Sequence, residues 1–253
     1  SFGFLWNLLD QQIGLPHDRL DLANLDGISL NDFQVLIFPS GSYGSRVDKS
    51  TRDALDAWVR TGGVLVAIGD AVGWLQDVKL TAIKSWEAPS EEDAEAAGPA
   101  GEDPESAAAD AGGAGDGGSG VMGEVDIDLA RRSIPTPGAI VGTQARRQHP
   151  LTLGLPSPPP VLVEGAMVLL PTGNPSQDVL LAADESPVIS GFTWPEAEER
   201  LSGSLLVGME SRGNGGVVVF AQEPTFRLFW RGTMPIFLNA VVFGPSTGVG
   251  GNS

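Results

Sequence analysis

The stretch Asp32–Leu75, DFQVLIFPSGSYGSRVDKSTRDALDAWVRTGGVLVAIGDAVGWL, decides the reading of the fold. Phe33–Phe38 (FQVLIF) is an almost unbroken apolar run stopped by Pro39, and Val64–Ile68 (VLVAI) is a second. Short apolar runs without polar alternation are the mark of parallel strands buried on both faces. Between them Leu55, Trp58 and Val59 recur at helical spacing, Ser50 or Thr51 stands where an N-cap belongs, and Gly62-Gly63 closes the helix. A shorter helix is expected from about Ala71 to Val78. Strand, loop, helix, strand and helix in this order predict an α/β domain. Its two strand-end turns are Ser40-Gly41-Ser42-Tyr43-Gly44 and Gly69-Asp70-Ala71, and open α/β sheets place ligands at the carboxyl ends of their strands.

Upstream of this stretch, Phe4-Leu5-Trp6, Leu8-Leu9 and Ile13 repeat at helical spacing until Gly14 and Pro16 stop them, and Asp18–Leu25 (DRLDLANL) alternates like a short strand. A doubly wound sheet ordinarily opens with a strand, whereas this chain opens with a helix at Ser1. Either that strand lies upstream in a longer parent or the strand order departs from the doubly wound pattern.

Downstream, short apolar runs separated by Pro or Gly predict further strands of a mixed sheet: Ile140-Val141, Val161–Val163, Ala166–Leu170, Val179–Ala182, Val188-Ile189, Leu205–Val207 and Val217–Ala221. Gly213-Asn214-Gly215-Gly216 reads as a turn, Met234–Phe243 as a last helix, and 244–253 as a disordered tail.

The formal charge of −17 is concentrated in one place. Thirteen acidic residues and no Lys or Arg lie between Glu87 and Asp128, which leaves about −4 for everything else. Residues 87–122 are almost wholly Glu, Asp, Gly, Ala, Ser and Pro; such a segment has too little to bury to recover its ordering entropy, so a disordered acidic loop inside a single domain, 1–243, is expected. The Asp spacing is not that of a calcium loop. A near-neutral body without clustered Lys and Arg argues against nucleic acid. No apolar run approaches the ~18 residues of a membrane span, so a soluble chain is expected. With no cysteine there is neither disulfide nor thiolate chemistry.

Four groups of side chains could carry function. Asp70, at the end of a buried strand, is the first; its alternative role is to cap the helix that follows. Ser40, Gly41, Ser42 and Tyr43 could cradle an anion, although no phosphate-loop pattern is present, and a closed, partly apolar pocket at Ser40 to Gly44 would make the chain a small-molecule-binding module. Glu223 and Arg227 follow the last strand and could share an edge with Asp70, either as a polar site or as a structural ion pair. Asp70 with Glu223 would suit a carboxylate-based hydrolase if the two side chains converge. Trp58, Trp74, Trp194, Phe226, Phe229 and Trp230 could fill a core or an interface.

Eight phrases in one order, with a Trp6-bearing first helix, VLIFPSG, LDAWVRTGGVLVAIGDA, IPTPGAIV, HPLTLGLP, VISGF, GGVVVFAQEPTFR and GTMPIFLNAV, carry a family resemblance. Together they resemble the class I glutamine amidotransferase-like domain at the carboxyl end of some bacterial zinc carboxypeptidases of the carboxypeptidase A type. The resemblance implies a three-layer α/β/α flavodoxin-like fold and a non-catalytic accessory domain packed on an upstream peptidase, with Phe229-Trp230 at the contact. It also implies zinc only in that parent domain, whose export to the periplasm or beyond would follow. In this chain the elbow that holds an amidotransferase cysteine falls on Gly69-Asp70-Ala71, without a nucleophile. His17 and His149 begin no His-x-x-Glu pair, so no cofactor or metal is expected here. A sheet edge left without a neighbour could pair with a second copy.

Overall fold

The computed structural model describes residues 1–21, 25, 27–44, 47–87, 135–145 and 149–246. All of the expected acidic loop except Glu87, and the tail beyond Ser246, lie outside the described residues.

Apolar continuity decides the centre. β1 (Val35–Phe38), β2 (Val64–Ile68) and β9 (Gly215–Phe220) are adjacent and parallel, with Val35 opposite Val64 and Val64 opposite Gly216. β2 is buried at every position. Successive side chains of a strand point to opposite faces. Val64, Val66 and Ile68 accordingly join one core with Leu5, Leu8 and Leu9 of the first helix and Ile236, Phe237 and Ala240 of the last. Leu65 and Ala67 join a second core with Leu55, Trp58, Val59, Trp74 and Leu75. Each such side chain contributes ~1.5–3 kcal/mol by leaving water, so burial on both faces fixes β2 as the spine.

The helices are α1 (Phe2–Trp6), continued by wider π-type turns over Asn7–Ile13, then α2 (Lys49–Thr61), α3 (Asp70–Asp77), α4 (Pro195–Leu201) and α5 (Met234–Phe243). α1 and α5 cover one face and α2 and α3 the other, giving three layers. The remaining strands of the main sheet, β8 (Leu205–Arg212), β6 (Asp178–Ala182) and β4 (Thr143–Ala145), extend it antiparallel in the order β1-β2-β9-β8-β6-β4. A second sheet has the order β5-β3-β7, from β5 (Val161–Gly165), β3 (Thr136–Val141) and β7 (Val188–Phe192). The expected mixed-sheet, flavodoxin-like α/β fold is present.

Local departures have physical causes. Asp48, not Ser50 or Thr51, caps α2, its carboxylate accepting the Thr51 N–H at 2.8 Å. Ala166–Leu170 makes only single bridges, Leu169 with Ser85 and with Leu205. Of the expected strand Asp18–Leu25, the described residues 18–21 and 25 form no strand, and residues 22–24 lie outside the described residues. The expected four-residue turn is shorter, with only Gly213 and Asn214 between β8 and β9. Gly215 is already in β9, where a Cβ would stand 2.1 Å from the Gly63 carbonyl oxygen. This hairpin tip clasps the end of α2: Asn214 N–H donates to the Arg60 carbonyl at 2.9 Å, and Arg212 Nε donates to Asp56.

Candidate functional site at the carboxyl edge

Because β1, β2 and β9 are parallel neighbours, the turns that leave them meet at one edge. The turn after β2 is the tightest. Gly69 takes φ +54° and ψ −125°, a conformation that side chains disfavour, and its N–H donates to the Phe220 carbonyl of β9 at 2.9 Å. A strained strand-to-helix turn of this kind is how hydrolases of the α/β type expose a nucleophile. Here the turn holds no side chain, and none fits: a Cβ on Gly69 would lie 2.8 Å from Ser40 Oγ and 3.1 Å from Ser40 Cβ.

Ser40 fills that space. Its hydroxyl donates to the Asp70 carboxylate at 2.9 Å and accepts the Asp70 N–H at 3.2 Å, while its own N–H donates to Ser1 Oγ at 3.1 Å. Asp70 is exposed, and the first turn of α3 shows no side-chain cap bond, so its carboxylate faces outward with Ser40 rather than folding back onto the helix. Tyr43 turns inward: its hydroxyl donates to the Pro39 carbonyl at 2.5 Å, its ring lies 5.4 Å from those of Phe38 and Trp74, and burial pushes its pKa up to about 12. Of the proposed cradle, Ser40 is committed to Asp70 and Tyr43 to the core; Gly41 and Ser42 lie between them at the surface side of the turn.

The turn after β9 is looser. Glu223 Oε1 accepts the Thr225 hydroxyl at 2.8 Å, whereas Oε2 is buried without a hydrogen-bond partner. Arg227 makes no ion pair with Glu223 among the described residues; its guanidinium lies over the Phe226 ring at 5.2 Å. Arg227 and the following Leu228 both have left-handed backbones, φ +46° and +61°. Phe229 is 64% exposed, and the Trp230 indole N–H is buried without a partner. Phe226 also meets Phe4 of α1 edge-on, with ring centroids 6.0 Å apart. The structure therefore brings Ser40 to Asp70, and places Glu223 with Thr225 instead of with Arg227.

Each histidine meets the backbone through Nδ1. His149 accepts the Leu151 N–H on Nδ1 at 3.1 Å, and burial holds its pKa below the ordinary value. His17 has Nδ1 2.9 Å from the Leu15 carbonyl oxygen. Among the described residues no group of three or more His, Asp or Glu side chains is arranged to hold a metal ion, and no helix is long and apolar enough to cross a membrane. The sequence reading did not anticipate the exchange of a nucleophile side chain for Ser40, nor the unpartnered Glu223 oxygen.

No known protein family and no curated protein sequence matches the chain. Among solved structures, a ThuA-like protein from Parabacteroides merdae superposes with a TM-score of 0.51 at 16% identity, over 100% of this chain and 87% of its own. The fold is similar to that of this ThuA-like protein. A ThuA-like protein from Bacteroides uniformis follows with TM-score 0.49, 16% identity, 99% of this chain and 85% of its own. A cytoplasmic protein from Salmonella typhimurium gives 0.45, 12%, 92% and 76%. Identities this low establish the fold alone.

This likeness corrects the carboxypeptidase reading. The match takes up 87% of the Parabacteroides chain, so the frame marked by the eight phrases stands there without a peptidase domain. The accessory-domain role, the upstream peptidase partner, its zinc, its export and a peptidase contact at Phe229-Trp230 lose their basis.

Proposed function

We propose that this chain binds a small ligand rich in hydrogen-bond donors at the carboxyl edge of its sheet, and that it performs no nucleophilic chemistry there. One observation carries the reading: the elbow after β2 keeps its strained geometry, yet Ser40 occupies the volume a nucleophile would need. Ser40 itself is a poor substitute, since its hydroxyl donates to a carboxylate and not to an imidazole. What the edge offers is acceptors. The Asp70 carboxylate is exposed and the buried Oε2 of Glu223 is unpaired, a state that costs ~1–3 kcal/mol until a donor reaches it. An ammonium or a pair of hydroxyls supplies such donors, and a carboxylate or phosphate does not.

Calorimetric titration with a panel of small amines, polyols and carboxylates tests the reading, alongside turnover assays with glutamine, ester and peptide substrates. Heat of binding from amines or polyols, lost in Glu223→Gln and Asp70→Asn, is expected, with no turnover. Hydrolysis abolished by Asp70→Ala would overturn it.

A further inference from the structure

The open turn after β9 carries both an unpaired carboxylate oxygen and a cluster of rings, all within Glu223–Phe229. Phe226–Leu228 forms a single 3-10 turn, opened by Thr225, which is completely buried and whose hydroxyl donates to Glu223 Oε1 at 2.8 Å. Pro224 is pinned as well, its carbonyl accepting the buried Thr233 hydroxyl at 2.9 Å. The carboxylate is thus set on a fixed support, and its Oε2 has no donor. The rest of the turn is aromatic. Phe226 meets Phe229 edge-on with centroids 5.8 Å apart and Phe4 at 6.0 Å, and Phe229 is largely exposed.

A guanidinium already lies on this aromatic surface. Arg227, itself exposed, holds Cζ 5.2 Å from the centre of the Phe226 ring, yet among the described residues it makes no ion pair with Glu223. The chain explains why only half of the contact is made. A side chain rooted next to Phe226, on a backbone held at φ +46°, reaches its neighbour's ring and leaves the carboxylate unmet. A guanidinium free of that root can meet both. It is planar, so one face stacks on a ring, and its N–H groups form a fork that matches carboxylate oxygens. An ammonium is a compact, strongly hydrated charge with no flat face, and a polyol has no charge to place over a ring.

We propose that the ligand of the carboxyl edge is a guanidinium compound, which displaces Arg227 from Phe226, stacks on the Phe226–Phe229 pair and donates to Glu223 Oε2. This rests on the reading of that edge as a site for a donor-rich small ligand, and it names the donor. Arg227 is then an internal stand-in that covers the aromatic surface until the ligand takes its place. The two left-handed residues, Arg227 and Leu228, lie in the part of the turn that shifts to admit it, while Thr225 and Thr233 keep the carboxylate in position.

Calorimetric titration of the whole chain with N-ethylguanidinium tests the assignment, against N-ethylurea of nearly the same shape and ethylammonium of the same charge. Ethylguanidinium is expected to bind at least tenfold more tightly than either. Phe226→Leu should weaken that binding roughly tenfold, Phe226→Tyr, which keeps a ring, should restore it, and Glu223→Gln should abolish it. Arg227→Ala removes the competitor and should tighten binding roughly threefold to tenfold. Equal binding of ethylurea, an affinity unchanged by Phe226→Leu, or equal or weaker binding in Arg227→Ala overturns the proposal. Binding of ethylammonium or a polyol without binding of ethylguanidinium also overturns it, but leaves the donor-rich ligand standing. No heat from any guanidine, amine or polyol removes both.

Discussion

Two turns leave adjacent parallel strands at the same edge and have opposite characters. The turn after β2 is closed: Gly69 is strained but fully bonded, Ser40 fills the only space beside it, and Asp70 is tied to Ser40. The turn after β9 is open, with two consecutive left-handed non-glycine residues, an exposed phenylalanine and two buried polar atoms without partners. In the first, a backbone that only glycine adopts at ease is fixed by packing; in the second, left-handed non-glycine residues are held by turn hydrogen bonds and by the rings around Phe226. An edge built this way keeps the scaffold of a catalytic elbow and moves its unsatisfied chemistry one strand over.

The sharpest way to break the contrast is Gly69→Ala. The added Cβ meets Ser40 Oγ and must accept φ +54°, so the substitution should destabilise by about 2–4 kcal/mol in urea titration. Adding Ser40→Gly should recover only the steric share; complete recovery would mean that backbone strain is absent. Glu223→Gln comes next and acts in the other direction. Replacing the buried, half-paired carboxylate by a neutral amide should raise the stability of the free protein by about 1 kcal/mol while weakening ligand binding at least tenfold. A loss of stability would show that Glu223 is a structural group. Arg227→Gly should relieve the left-handed backbone and stabilise by roughly 0.5 kcal/mol, since the gain in the folded state is partly offset by a freer unfolded chain.

The smallest effect concerns pH. Burial lowers the His149 pKa, against an opposing hydrogen bond with the Ser176 backbone, so the unfolded chain is protonated first as pH falls. The stability that depends on neutral His149 is present in full above about pH 6.5 and is lost as pH falls through that value towards the folded-state pKa. The turn it caps is tied to α5, where Asn239 Nδ2 donates to the Leu151 and Leu153 carbonyls at 2.9 Å, and α5 follows the open turn. Denaturation midpoints at pH 7.5, 6.5 and 5.5 should fall more steeply in the native protein than in His149→Asn; parallel slopes would remove His149 from the account.

The sequence carried the fold where local pattern and burial agree. Val64–Ile68 and Met234–Phe243 read directly because every residue of the first is buried and the second opens with Pro235 near its start. α4 was missed although Pro195, Glu196 and Arg200 are placed as a short helix wants them, because seven mostly charged residues show little apolar period. β4 is three residues long and owes its existence to β6. At the edge, Gly69 was visible as a glycine but its positive φ was not, and the approach of Ser40 joins positions thirty residues apart in sequence. Glu223 was singled out as a polar group after the last strand, whereas its missing partner is a property of three-dimensional packing alone. The eight phrases were a sound guide to the frame and a poor one to the parent, because a shared scaffold does not specify attachment or activity.

The clasp between the β8–β9 hairpin and the end of α2 has a consequence for how this molecule can be taken apart. Residues 1–87 and 135–253 supply alternate members of both cores, and β2 lies directly against β9. Neither piece closes a sheet face without the other. Produced as separate chains, the two segments are expected to form an obligate pair, a split-protein system in which reassembly, followed by native gel, reports on the strength of a single strand-to-strand seam.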